Sequence, residues 1–197
     1  MLDPYLNLWD ERFHALVAKN MLSHPFKPTL YEDPVVAMDY NDWSTSIVWL
    51  HKQPFFLWLI TLSFKCFGVN EIALRLPSVI FSSFMVVFAY RSGKLLINSK
   101  VGYYTALLFA TSFYLIELIS GKQNVDHNDV ISLCCVSGSI WAWIEYYYSK
   151  QKAWLIIIGL FSGCAVLCKW LIGLLVFLGW GIELIYTWWE EKKFSVP

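Results

Sequence analysis

WLIIIGLFSGCAVLCKWLIGLLVFLGWGIELIYTWW, residues 154–189, decides the class of this chain. Only Lys169 and Glu183 carry charge in it, so bilayer hydrocarbon is a better solvent for this stretch than water. Cys168, Lys169 and Trp170 interrupt it, and the sequence predicts one span on each side of that break, 154–167 and 171–189.

Three more spans lie upstream. Residues 129–148 close in the cluster Tyr146, Tyr147 and Tyr148, as interfacial rings do, and 101–120 precede them. The run 77–96 carries Arg91 and Lys94 at one end, where both snorkel. Composition agrees: 57% of the 197 residues are hydrophobic, 15% are charged, and the mean hydropathy is +0.49. Lys plus Arg and Asp plus Glu are 15 each, so no net field recruits nucleic acid. Five cysteines, Cys66, Cys134, Cys135, Cys164 and Cys168, lie inside apolar runs and read as packing residues.

Residues 1–76 are different, broken by Pro4, Pro25, Pro28 and Pro34 and by Asp and Asn. Phe13, Leu16, Val17 and Met21 recur at helical spacing and predict an amphipathic helix over about 9–22. Residues 54–67, PFFLWLITLSFKCF, are apolar but shorter than the roughly 20 residues that cross hydrocarbon, so they are expected in the interface. The expectation is an all-α, polytopic membrane protein: about five transmembrane helices over 77–189, two interfacial helices in a long outer loop over 1–76, and a tail over 190–197.

Arg91, Lys94, Lys100, Lys150, Lys152, Lys192 and Lys193 fall on one side of this arrangement, which makes that side cytoplasmic. The long loop, the 122–129 loop and Lys169 then face outward. The beginning of the chain has neither a basic nor an apolar leader region, and an odd number of spans calls for a helix before it.

Three polar groups share the outer face. Asp10, Glu11 and His14 lie on the first helix, with Asp10 and His14 one turn apart, where a carboxylate and an imidazole can serve one substrate. His51, Lys52 and Gln53 precede Pro54, which suits a first helical position. A lysine at a helix start opposes the dipole unless an anion binds there, so Lys52 is a candidate for a phosphate. Lys122, Gln123, Asn124, Asp126, His127, Asn128 and Asp129 fill seven of the eight positions 122–129, more than a turn requires, although a helix cap explains Asp129.

The order Asp10-Glu11, then HKQPFFLWLITLSFKCFGVNEIALRLPS over 51–78, then a polar loop ending in Asp, then the Lys169 break, resembles the C-type (GT-C) polyprenyl-phosphate-sugar-dependent glycosyltransferases. The similarity is to the branch with the bacterial aminoarabinose transferases of lipid A and the dolichyl-phosphate-mannose protein mannosyltransferases, and it runs from about Trp9 to Trp189. The resemblance implies an N-terminal fragment, inactive alone, of an enzyme that moves sugar from a polyprenyl phosphate to a lipid or protein acceptor by inverting displacement. It implies Asp10 as base with Glu11 beside it, and Lys52 and Lys122 on the donor phosphate. His14, Asp126, His127 and Asp129 are implied in substrate binding or the second outer loop.

The family pattern at 51–54 is Glu-Lys-Pro-Pro. Here His51 stands for the Glu and Gln53 for the first Pro, so His51 is the expected ligand of any divalent metal (Zn, Mg or Mn). The implied location is a bacterial inner membrane, with the site facing the periplasm. A transporter subunit is the rival reading, but it requires charges at mid-membrane, and Glu117, Glu145 and Glu183 lie toward span ends.

Overall fold

The computed structural model describes residues 5–39, 41–120 and 127–194, with side chains up to 190. The elements are helical: α1 (Asp10–Asn20), α2 (Pro54–Phe67), α3 (Glu71–Leu96), α4 (Ser99–Ala110), α5 (Phe113–Ser120), α6 (Asn128–Ser149), α7 (Ala153–Gly173) and α8 (Leu175–Phe194). A 3₁₀ turn at Trp43–Thr45 and one bridge between Thr29 and Val48 shape the segment between α1 and α2.

Pro54 opens α2 behind an extended Gln53, and Gly68, at φ 80°, ends it with its N–H on the Phe64 carbonyl. Asn70 then caps α3 by accepting from the Ala73 N–H at 2.8 Å. α3 therefore begins at Glu71 and not at Pro77, where the sequence places the first span. Pro77 inside a helix orphans the carbonyl four residues back, that of Ala73. Ser63 on α2 donates its hydroxyl to that carbonyl at 2.6 Å, so the proline is tolerated and α2 is tied to α3.

α3 and α4 form a hairpin about Gly93 and Gly102. A Cβ at Gly102 would stand 2.6 Å from the Tyr90 carbonyl, so the close approach of the backbones depends on its absence. The expected single span 101–120 is two helices bent by 41°. Thr111 turns its hydroxyl onto the Leu107 carbonyl and Ser112 follows, and side chains that bond the backbone locally weaken the helical ladder there.

α7 contains a sharper break. Lys169 (φ −139°, ψ 44°) and Trp170 (φ 25°, ψ −102°) leave helical geometry, and the chain reverses. Gly173 rests on the Ala165 backbone, and Val176 joins Ala165 and Cys168 in the core. Further along, Trp180 meets Trp143 of α6 at 5.8 Å between ring centroids, so α8 runs beside α6 and in its direction.

Among the described residues α3 and α6 are long and apolar enough to cross a membrane, α7 is so when counted through its break, and the bent pair α4 and α5 makes a fourth. α8 has the length, but Glu183, Glu190, Glu191, Lys192 and Lys193 make it too charged to count with them. The expected five spans become three or four by this measure.

Two kinds of core hold the assembly. Ile131, Cys135, Ala165 and Cys168 join α6 to α7, with Phe56, Ile60 and Leu74 from α2 and α3 in the same cluster. Ser139 and Ser162 share a hydrogen bond of 2.9 Å within that seam. Outside the spans, Val17, Met21, Leu30, Trp49 and Leu57 pin α1 and the following segment onto α2. Each such side chain removed from water contributes about 1.5–3 kcal/mol, enough together to order a long segment with little regular structure. At the end of the bundle away from α1, Arg91 and Glu145 pair through bonds of 2.6 and 2.9 Å, and Trp141 donates to the same carboxylate.

Candidate active site

The end of the bundle nearest α1 collects the polar side chains. α1 brings Asp10 and Glu11, the segment before α2 brings His51 and Lys52, α3 brings Arg75, α6 brings Asn128 and Asp129, and the α7 break brings Lys169. His127 immediately precedes α6.

Glu11 and Arg75 form the buried centre. The guanidinium donates to both carboxylate oxygens, at 2.6 and 3.1 Å, and to the Tyr5 carbonyl at 3.1 Å. The His127 Nε2 lies 3.1 Å from the same carboxylate, and the Asn7 N–H donates to it at 2.8 Å. Burial works against the carboxylate's charge, yet hydrogen bonds from His127, Arg75 and Asn7 overcome it and hold the pKa at about 2. An ion pair this deep is justified by saturation: every face of the carboxylate has a donor. It joins α1 to α3 and to the start of α6, three elements far apart in sequence.

Asp10, next along α1, points the other way and keeps partial access to solvent. The Lys52 Nζ lies 3.9 Å from its carboxylate. Lys52 in turn lines a cleft of about 390 Å³ with His51, Gln53, Asn128, Cys168, Lys169, Trp170, Leu171 and Ile172. Lys169 forms an ion pair with Asp129 at this cleft. Asn128 donates its side-chain amide to the Cys168 carbonyl at 2.9 Å, capping the helical end that the break in α7 leaves open. Two lysines therefore face one open space, each leaning on an aspartate.

The amino-acid pattern from His51 to residue 196 matches the model of the family described as dolichyl-phosphate-mannose-protein mannosyltransferase. The chain belongs to this family. The chain is also similar to an uncharacterized protein of Aquifex aeolicus (strain VF5), 31% identical over 169 residues, 84% of this chain and 30% of that one. The fold is that of a solved structure, ArnT from Cupriavidus metallidurans in the apo state, with a TM-score of 0.71 and 18% identity over 94% of this chain and 32% of that one. The chain thus spans about a third of the length of the proteins it matches. The apolar helices, together with this family and fold, make the chain an integral membrane protein.

Within this mannosyltransferase frame the expected site residues separate. Asp10, Lys52 and Asp129 meet at or beside the cleft. His14, expected beside Asp10 on a shared substrate, is buried instead between the rings of Phe56 and Trp49, 5.1 and 6.3 Å away. His127 is spent on Glu11 rather than presented in a loop. Lys122 and Asp126 lie outside the described residues.

His51 stacks on Trp43 at 4.7 Å and stands edge-on to Trp49, in a cluster that also takes in Phe13. No group of three or more His, Cys, Asp or Glu side chains able to hold a metal exists among the described residues.

The sequence reading missed Arg75 and Lys169 as parts of the site. The signal for Arg75 was present: an arginine in the first turns of an apolar helix requires a buried carboxylate.

Proposed function

We propose that this chain forms part of the catalytic module of a GT-C glycosyltransferase that moves sugar from a polyprenyl-phosphate donor to a lipid or protein acceptor, at the outer face of a bacterial inner membrane. The observation that carries this reading is the placement of Asp10 3.9 Å from Lys52, a carboxylate beside an ammonium that lines an open cleft.

The reaction asks for this pair. The acceptor hydroxyl attacks the anomeric carbon while the bond from that carbon to the phosphate oxygen breaks. Asp10 takes the hydroxyl proton. Polyprenyl phosphate departs with the electron pair, and Lys52 stands against the charge it gains. Attack on one face and departure from the other inverts the anomeric centre. Glu11, locked to Arg75 and His127, touches neither reactant in this scheme. It fixes α1, and therefore Asp10, against the bundle.

The test is incubation of the full-length protein, in membranes, with radiolabelled polyprenyl-phosphate sugars of several kinds. Label appearing in lipid or protein supports the reading. Absence of transfer from every donor contradicts it and returns the transporter reading.

A further inference from the structure

The cleft holds a second cation that the two-residue scheme does not use. Lys169 comes from a different helix than Lys52, and nothing in its local sequence asks for charge: it interrupts 35 otherwise apolar or uncharged positions relieved only by Glu183. Its placement is structural. The reversal of α7 at Lys169 and Trp170 puts Trp170 at φ 25°, a conformation that costs a tryptophan of order 1–3 kcal/mol. The surrounding structure maintains it: Asn128 binds the Cys168 carbonyl, and Gly173 packs against the Ala165 backbone. A strained turn fixed at both ends, with a lysine at its apex lining an open cleft, is a device for presenting that lysine.

Charge balance within the cleft says what it is presented to. Lys52 leans on Asp10 at 3.9 Å and Lys169 pairs with Asp129, so two ammonium groups line one space, one from the segment before α2 and the other from the α7 break. Both lysines keep access to solvent, with about a fifth and a quarter of their side-chain surface exposed. Resting on a carboxylate neutralises each ammonium without sealing it, and an incoming dianion or diester competes for both.

We infer that Lys169 is a second phosphate-binding residue: Lys52 and Lys169 clamp the phosphate of the lipid donor between the segment before α2 and the α7 break, and Asp129 is the resting partner that Lys169 leaves when the phosphate arrives. This rests on the donor class proposed above and goes beyond it in naming the second arm and its counter-ion. Asp129 becomes a positioning residue for Lys169 and makes no contact with sugar. The same exchange at Lys52 frees Asp10 as the donor binds, so the carboxylate is unpaired when the acceptor hydroxyl reaches it.

The experiment measures binding by the full-length protein in lipid nanodiscs, using a long-chain polyprenyl monophosphate and the matching polyprenol, which lacks the phosphate. The proteins are the wild type, Lys169→Met, Lys169→Arg and Asp129→Asn, each checked by thermal unfolding. The inference expects wild type to prefer the phosphate over the alcohol. Lys169→Met should lose about tenfold or more in affinity for the phosphate only, as one charge-assisted contact implies. Lys169→Arg should restore most of it, and Asp129→Asn should bind the phosphate at least as tightly as wild type.

Lys169→Met binding the phosphate as well as wild type overturns the clamp while leaving the donor class standing. Asp129→Asn losing as much as Lys169→Met, without rescue by Lys169→Arg, also overturns it, because the ion pair is then merely structural. A wild type that does not distinguish phosphate from alcohol removes the donor class itself.

Discussion

Arg75 and Glu11 meet through two hydrogen bonds of 2.6 and 3.1 Å across 64 positions of sequence, and neither side chain reaches solvent. The pair is the joint at which a segment outside the spans is fastened to the bundle. α1 carries Asp10, and Glu11 ties α1 to Arg75 of α3 by an ion pair and, by a hydrogen bond with His127, to the start of α6.

Breaking that joint from either side leaves a buried charge alone. Arg75→Met and Glu11→Leu are each expected to cost about 3–5 kcal/mol, the usual penalty for orphaning one member of a buried pair. Thermal unfolding in a fixed detergent measures this. The double variant should recover much of the loss, because two apolar groups of similar volume leave no charge behind.

Acid should act on the same joint. The folded Glu11 carboxyl is held at about 2 against an ordinary 4.5. A depressed value of this kind stabilises the fold fully above the ordinary pKa. The contribution, about 3 kcal/mol, is lost as pH falls from about 4.5 to about 2. Stability measured across that window should fall more steeply for wild type than for the Arg75→Met, Glu11→Leu double variant, which keeps the other paired carboxylates but lacks this one.

The proline in α3 makes a narrower prediction. Ser63→Ala removes the hydroxyl that satisfies the Ala73 carbonyl, and an unsatisfied buried acceptor costs about 1–3 kcal/mol. Pro77→Ala restores the helical donor for that carbonyl. Chemical or thermal unfolding of the two single variants and the double should therefore show Pro77→Ala rescuing Ser63→Ala.

The α7 reversal depends on Gly173, which has no room for a side chain against Ala165. Gly173→Val should open the turn, at an overpacking cost of about 1–3 kcal/mol. Thermal unfolding in a fixed detergent measures this, and Gly173→Ala should cost less than Gly173→Val.

Much of this architecture is legible in the residues. Apolar runs mark the spanning helices, and Pro54 followed by fourteen residues to Gly68 marks α2. The breaks are less legible because they depend on who answers whom: Pro77 is tolerated only through Ser63, and the bend at Thr111 through hydroxyl bonding to the backbone. The same holds at the site. Asp10 and Lys52 are visible as chemistry in exposed positions, whereas His14 looks like a polar face of α1 until Trp49 and Phe56 close over it from distant sequence. His127 looks like part of a binding loop, and its partner, Glu11, lies 116 residues away. Local pattern shows a residue's type and cannot show that its capacity is already spent.

The central claim is that Asp10 is the base of a sugar transfer. The most direct measurement is transfer by Asp10→Asn in the full-length protein, against a donor that the wild type uses, with donor binding measured alongside. The expected result is a fall in turnover of about 10²-fold or more with binding of donor retained, because only the proton acceptor has been removed. Transfer at the wild-type rate would contradict the account.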